Sequence, residues 1–426
     1  ITNIGEAKIE TIALLPAKVK QSPTRMWEKV SVTSLTRLLD LVEFRVTHFE
    51  NRGGDLYLKC ESRFDVAQCP SCKRLSSHIH QRKERRIRDL RISGKRVTLY
   101  VESRRFACDD CEKPFTESLA SVDARRRQTR RYEQNIYEQC LHSDRKAIAQ
   151  GEHLSESTVK DIFVKWSQKI TRDIPQHRVR ILGIDELALK KRHKQYVLIL
   201  SDLERHCILA VLPDRKKRSL INWLQAHPNR QDIKVVSTDM WEPYRQAIKT
   251  VLPDAQQVAD RFHIMKQLDQ RLTQARRSIQ KKADSESYTT LKGSRWILVK
   301  ARHDLSSEEE RKLQQILMIC PELRVMYLLK EEFRTICDKV QNREQAARFL
   351  CAWICKVKAT NDKRLLKFVK TLTNWWHEFL NYFIERVTQG FVEGINNAIR
   401  ATIRRAFGFR NFDIFRLQIL AQYGGS

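Results

Sequence analysis

Arg180-Ile-Leu-Gly-Ile-Asp-Glu-Leu-Ala-Leu-Lys190 is the stretch on which the fold turns. Residues 181–184 read as a short buried strand with Asp185 near its end. A basic turn leads to a second apolar run, Gln195-Tyr-Val-Leu-Ile-Leu-Ser201. Asp202-Leu-Glu-Arg-His206 leads to a third, Cys207-Ile-Leu-Ala-Val-Leu212. Three apolar runs parted by polar turns predict an antiparallel meander. The strand Ile233-Lys-Val-Val-Ser237 then runs straight into Thr238-Asp239. Two carboxylates, Asp185 and Asp239, thus stand at the ends of neighbouring strands. Like charges held that close are costly unless cations neutralise them, so the pair reads as a metal site.

Working outward, a helix is predicted over residues 215–225 and another over 242–249, with Pro243 in its first turn. Residues 255–259 form a fifth strand ending at Asp260-Arg-Phe-His263. Three antiparallel strands, then helix–strand–helix–strand, is the order of a ribonuclease-H-like α/β domain. From residue 264 to about 386 the periodicity is helical throughout, with helices predicted over 266–282, 308–318, 324–339 and 343–358. Cys351 and Cys355, one turn apart, and the aromatic Asn374-Trp-Trp-His377 read there as packing.

The chain has 426 residues, enough for several domains, and 80 Lys+Arg against 51 Asp+Glu give a net charge of +29. So large an excess points to a polyanion, with nucleic acid the default. No apolar run is long enough for a membrane span and no secretory leader is visible, which predicts a cytoplasmic, nucleoid-associated protein. The numbering opens at Ile1 with the first methionine at Met26, and the ends are not taken as natural boundaries. Eleven cysteines in such a chain suggest metal ligation more than disulfides.

Cys69-Pro-Ser-Cys72 and Cys108-Asp-Asp-Cys111, separated by strand-like sequence such as residues 96–102, read as a zinc ribbon. Thiolates at this spacing wrap one tetrahedral Zn²⁺. Cys60, His78 and His80 read as bystanders, because four cysteines already close the site. Upstream, a helix over 34–43 and strands over 44–49 and 56–61 flank the turn Asn51-Arg-Gly-Gly-Asp55. Arg85, Arg86, Arg125, Arg126, Arg127, Arg130 and Arg131 stand out as phosphate contacts within the basic runs. Arg145-Lys-Ala-Ile-Ala149, a turn around Gly151 and Ser155-Glu-Ser-Thr-Val159 give a helix-turn-helix pattern. Ser155 would cap its second helix, and Ser157, Thr158 and Lys160 would face DNA.

In Thr388-Gln-Gly-Phe-Val-Glu-Gly-Ile-Asn-Asn-Ala-Ile-Arg-Ala-Thr-Ile-Arg-Arg405, Glu393, Asn397, Arg400 and Arg404 share one helical face. Val392, Ile395, Ile399 and Ile403 form another. Packing of the apolar face on the sheet would aim Glu393 at the two strand carboxylates, with Gly390 and Gly394 permitting close approach.

Paired Cys-x-x-Cys motifs, a helix-turn-helix, Gly-Ile-Asp-Glu186, Ser-Thr-Asp-Met240, Asp-Arg-Phe-His263 and Val-Glu-Gly-Ile-Asn-Asn…Gly-Phe-Arg-Asn411 occur in that order. This resembles the ISL3-family transposases of bacterial insertion sequences over residues 35–420. The resemblance implies a multidomain α+β chain. Its domains would be an unassigned extension at 1–34, a zinc-ribbon DNA-binding domain at 35–120 and a helix-turn-helix DNA-binding domain at 121–172. A ribonuclease-H-like catalytic domain at 179–265 and 386–412 would be interrupted by an all-helical insertion at 266–385, with a tail at 413–426. It also implies a DDE triad on Asp185, Asp239 and Glu393. The chemistry would be phosphoryl transfer with two Mg²⁺, or Mn²⁺ in substitution, about 3.5–4 Å apart. Asp185 would bridge the ions, Asp239 hold one and Glu393 the other. His263 would contact the phosphate or the nucleophile, and Asn397, Arg400 and Arg404 would hold DNA near the cut. The expected partners are double-stranded DNA, as terminal inverted repeats and target, and a second copy of the chain in a homodimer or higher oligomer. A DNA-binding regulator with an inactive central domain is the alternative, and a nuclease without strand transfer is a third reading.

Overall fold

The structure is a computed structural model that describes residues 28–29, 32–174, 177–190, 195–387 and 390–425. The proposed extension at 1–34 thus falls largely outside the described residues, as do the basic turn at 191–194, linker residues 175–176, and 388–389 of the last motif. Two compact units are resolved, residues 1–136 and 137–426, and each is described by itself.

The first unit is a twisted sheet. Strand β1 (Glu28–Lys29) precedes helix α1 (Val32–Leu39) and pairs with β2 (Phe44–Arg52), which turns about Gly53 into β3 (Asp55–Ser62). The knuckle strands β4 (Ala67–Gln68) and β5 (Leu75–Ser76) pair with each other. Strands β6 (Ile79–Ile92) and β7 (Lys95–Ala107) form a long hairpin, closed by β8 (Pro114–Thr116) on β7. Strand β6 was not anticipated. Its string Ile79-His-Gln-Arg-Lys-Glu-Arg-Arg86 carries almost no apolar alternation, and its exposed residues read as a charge run. Cross-strand pairing supplies what the pattern lacks: Ile87 meets Leu99, and Arg82 meets Arg104. Phe44, Leu58, Ile87, Val97 and Leu99 build the core beneath.

The second unit opens with three helices. Helix α2 (Arg130–His142) spans the division, and α3 (Arg145–Glu152) and α4 (Glu156–Ile170) complete the helix-turn-helix. The sheet follows: β9 (Ile181–Lys190), β10 (Gln195–Asp202), β11 (Cys207–Leu212), helix α5 (Lys217–Ala226), β12 (Val235–Thr238), helix α6 (Glu242–Val251) and β13 (Gln256–Ala259). The spatial order is β11-β10-β9-β12-β13, with the first three antiparallel and β12 and β13 parallel to β9. This is the predicted ribonuclease-H-like order. Strand β9 is longer than expected, so Asp185 lies mid-strand and not near its end.

Alternation along the strands buries both faces. Leu182, Ile184, Leu198, Leu200 and Val236 pack under Leu220, Leu224, Tyr244 and Ile248 of α5 and α6. Leu187, Val197, Ile199 and Val211 face the other way, against α15 (Gly390–Arg405) and α16 (Phe412–Tyr423).

Between β13 and α15 the chain is helical: α7 (Arg261–Gln280), α8 (Ser285–Leu291), α9 (Arg295–Val299), α10 (Ser307–Ile319), α11 (Pro321–Lys339), α12 (Arg343–Ala359), α13 (Lys363–Asn374) and α14 (Trp376–Glu385). Its core stacks Phe333 on Phe379 and sets Trp353 against Phe368. Trp375 is buried as expected, under the Arg245 guanidinium at 3.6 Å. Cys351 and Cys355 do not pack: both are exposed on α12, because its buried stripe runs through Ala346, Leu350, Trp353 and Val357.

Candidate functional site

Strand register brings the central site together. In the parallel ladder Ile184 pairs with Thr238, and Thr238 with Ala259. The next residues, Asp185, Asp239 and Asp260, therefore fall side by side. One residue of slip would send a carboxylate to the opposite face. Gly183 makes room for this part of the sheet: a Cβ there would lie 2.6 Å from Ser201 Oγ and 2.7 Å from Leu203 Cδ2.

Metal-binding atoms of Asp185, Asp239 and His263 all lie within 4.8 Å of one another. Asp185 is 8 % exposed; burial, partly offset by His263, lifts its pKa to about 6. Its Oδ1 accepts from the Glu186 amide at 2.8 Å, and its Oδ2 accepts from Asn396 Nδ2 at 2.5 Å. Asp260 is fully buried, caps α7 through the Phe262 amide and takes His263 Nδ1 at 2.8 Å. The same Nδ1 is 2.6 Å from Asp239 Oδ1. Burial disfavours a charged ring, but the neighbouring carboxylates of Asp239 and Asp260 outweigh it and raise His263 to about 10. The imidazolium thus holds a positive charge among three carboxylates. One N–H cannot serve two oxygens, and Asp239 Oδ1 is left buried without a donor among the described residues, as is Asn396 Oδ1. Hard oxygen donors, one of them orphaned, beside a displaceable cationic ring fit a divalent cation such as Mg²⁺.

Glu393 is not part of this cluster. It is exposed in the first turn of α15, while Asn396, one turn on, makes the contact to Asp185. Ile395, Ile399 and Ile403 do pack on the sheet as expected, and this seating turns Asn396 inward. Asn397 and Arg404 are exposed, and Arg400 donates to Asn397 Oδ1 at 2.8 Å. Gly390 and Gly394 do not serve close approach: a Cβ at either meets nothing within 4 Å. Asn396 and Asp260 were missed in the sequence. Asp260 carries the same signal as Asp185 and Asp239, an acid directly after a buried strand, and Asn396 sits amid the apolar stripe of α15.

In the first unit the four cysteines gather, with Cys69 Sγ 3.9 Å from Cys111 Sγ and Cys72 Sγ 3.5 Å from Cys108 Sγ. Tetrahedral zinc at about 2.3 Å from each sulfur needs sulfurs about 3.8 Å apart, so the residues fit the ion. Both knuckles close alike: Lys73 N donates to Cys69 O, Glu112 N to Cys108 O, and both donors take left-handed φ, 64° and 52°. The Cys72 amide, pointing at sulfur, pulls the Cys69 thiol down to about 6. His78 and Cys60 stand outside this group.

A basic groove of about 910 Å³ lies along β6 and β7 in the same unit, lined by Arg85, Arg86 and Arg125 to Arg127 among others. Not all of the arginines expected to contact phosphate are free for it. Arg126 pairs with Glu133 at 2.5 Å, Arg130 with Asp123 at 2.5 Å, Arg131 with Asp89, and Arg85 donates to Arg126 O at 2.7 Å. Arg86 lies over Tyr100, and Arg125 and Arg127 are exposed.

The helix-turn-helix has a cap at each helix start. Asp144 accepts from Ala147 N, and Ser155 from Thr158 N at 3.1 Å. The turn is not at Gly151, which is helical, but at His153 with φ 53°. Ser157 and Lys160 are exposed, whereas the Thr158 hydroxyl is 2.8 Å from Ser155 Oγ. Gln418 Nε2 and Arg405 Nη2 donate to the carbonyls of Cys140 and Leu141, tying α2 to α16 and α15.

Comparison with known proteins places these features. A family model described as "Transposase", of the ISL3 group, matches residues 182–419, more than half the chain. The zinc-finger of transposase IS204/IS1001/IS1096/IS1165 matches residues 65–111, and the helix-turn-helix domain of transposase family ISL3 matches 117–167. The transposase for insertion sequence element IS1001 of Bordetella parapertussis is 27% identical over 387 residues, 90% of this chain and 95% of that one. The transposase for IS1557 of Mycobacterium tuberculosis is 26% identical over 259 residues, 55% of this chain and 57% of that one. A solved Drosophila P element transposase strand transfer complex aligns at a TM-score of 0.36 and 10% identity, covering 68% of this chain and 92% of that chain, too low to bear on the site. Among the described residues no helix is long and apolar enough to cross a membrane.

Proposed function

This chain belongs to the ISL3 family of transposases, and from that premise we propose that it binds the terminal inverted repeats of a bacterial insertion sequence and catalyses metal-dependent strand cleavage and strand transfer there. The observation that carries the proposal is the in-register acid cluster, with its orphaned Asp239 oxygen and its stand-in imidazolium. Asp185 and Asp239 would hold Mg²⁺, and Glu393 would complete the set from α15. Three residues, about 4.5 Å of helical rise, separate Glu393 from Asn396, which already touches Asp185. Held by these residues, divalent ions would supply Lewis-acid activation of the attacking group and charge neutralisation at the leaving oxygen.

The chain's own residues set the stage for that chemistry. Asn396 fixes the Asp185 carboxylate. Asp260 holds the His263 ring through Nδ1, and the protonated ring would lend its charge to a phosphate bound beside Asp239. Arg400 and Arg404 lie further along α15, where they would meet the DNA backbone. The four cysteines hold zinc and shape the ribbon, and Arg86, Arg125 and Arg127 offer charge to phosphate. Cutting two ends together calls for at least two copies of the chain.

The exposed position of Glu393 favours a second reading, a DNA-binding regulator without catalysis. An assay on DNA from the element's ends with Mg²⁺ separates the readings. The wild type should nick and join, while Asp185→Asn and Glu393→Gln should bind the same DNA and leave it whole. Binding without nicking by the wild type would support the regulator, and nicks without joined product a nuclease. Undiminished cutting by Glu393→Gln would remove Glu393 from the site.

A further inference from the structure

We propose that Trp241 is a stacking platform for an unpaired nucleobase next to the phosphate that is cut. This rests on the reading above and adds to it a binding site for a particular chemical group. A groove of about 450 Å³ opens directly on the acid cluster, and Asp239, His263, Trp241, Arg215, Lys266 and Arg271 lie along it. That volume falls in the usual range of about 300–1,000 Å³ for small-ligand sites. Trp241 is 41 % exposed within it, two residues past Asp239.

The backbone that carries the indole is fixed, and a cation lies over the ring. Trp241 N donates to Asp239 O at 2.8 Å, and Tyr244 N donates back to Trp241 O at 3.0 Å, so the turn out of β12 fixes its backbone to the metal-binding acid. Arg215 lies over the Trp241 ring at 5.3 Å and over Tyr196 at 4.4 Å. Glu186 anchors that guanidinium at 3.1 Å, and Tyr244 OH, on a fully buried side chain, anchors Glu186 at 2.7 Å. The far wall is the face of α7 that carries Lys266 and Arg271.

Each part matches one part of a nucleotide. A flat aromatic face takes any base without sequence preference, because every base has a π-face. The lysine and arginines suit its phosphates. A lone exposed tryptophan is ordinary on a protein surface. One fixed by its backbone in a cationic groove that opens onto a metal-binding carboxylate is not. An end nucleotide drawn out of the helix would free its flanking phosphate for in-line attack, and the cost of unstacking would be offset by the indole.

The test uses the full chain and a short single-stranded oligonucleotide carrying one 2-aminopurine, whose fluorescence is quenched on stacking, with the annealed duplex as control. The wild type should quench the single strand. Trp241→Ala should lose most of the quench and bind the single strand about tenfold more weakly, with duplex affinity unchanged, and Trp241→Phe should keep most of both. Equal quenching by Trp241→Ala overturns the proposal. Should Trp241→Ala lose duplex binding too, Trp241→Leu decides: a lost quench with the duplex still bound supports the platform, and a retained quench rejects it. The readout needs no cleavage. A wild type that stacks the base yet never nicks end DNA would sink the transposition reading and leave the platform standing. A wild type that cuts, with unchanged stacking in Trp241→Ala, would do the reverse.

Discussion

Asp185 carries an electrostatic penalty that comes from its burial. An acid whose pKa rises on folding prefers its proton in the fold, so the folded state is penalised for ionising it. That penalty is absent below about pH 3.8 and complete above about pH 6, where it amounts to roughly 3 kcal/mol. Asp185→Asn removes it. In metal-free protein the variant should gain melting temperature over the wild type as pH rises from about 4 to about 6, then hold a constant lead. A lead that does not change with pH would mean Asp185 is not strained. Asn396 acts through Asp185, and Asn396→Ala should lower Mg²⁺-dependent cutting roughly 10–100-fold. The metal concentration for half-maximal activity should rise, while end-DNA affinity stays put. Loss of DNA affinity alone would show Asn396 to be structural or a DNA contact.

At the scale of the element, two local features set the frame. Gly183 lets β9 lie against Ser201 and Leu203, and Gly183→Ala forces a methyl to 2.6 Å from Ser201 Oγ. Overpacking of that kind costs about 1–3 kcal/mol. Chemical denaturation should show a lower midpoint, and an unchanged midpoint would mean the strands part freely. Ser155 caps α4 through the Thr158 amide. Ser155→Ala should cost about 1 kcal/mol of stability, read by thermal unfolding, and the more conservative Ser155→Asp should restore it. The meander, both Cys-x-x-Cys knuckles and the long helices were legible because their periodicity or spacing is local. Strand β6 was not, because its pairing with β7 lies outside its own residues. The turn of the helix-turn-helix fell at His153 and not at Gly151, because a glycine permits a break without requiring one.

For the whole molecule, charge and zinc set the expectations. At the knuckles the buried cluster is only Cys69, Phe106, Cys108 and Phe115, so this part of the first unit depends on the ion. Structural zinc contributes about 10–16 kcal/mol to such folds. Removing it with a zinc-selective chelator should release one Zn²⁺ per chain and abolish end-DNA binding. The second unit should keep its helical signal in circular dichroism. Unimpaired DNA binding in zinc-free protein would place recognition outside the ribbon. The order of modules, the four clustered cysteines, the two strand carboxylates and the basic character of the chain were legible beforehand, because each is written in local spacing or composition. Which side chains meet was settled by packing across the fold. Register across β9, β12 and β13 added Asp260 to the acid row, and the seating of α15 on the sheet put Asn396, and not Glu393, against Asp185. Such choices depend on how a helix is rotated on its neighbour, and a difference of about 100° per residue is invisible to a pattern that constrains the apolar face alone.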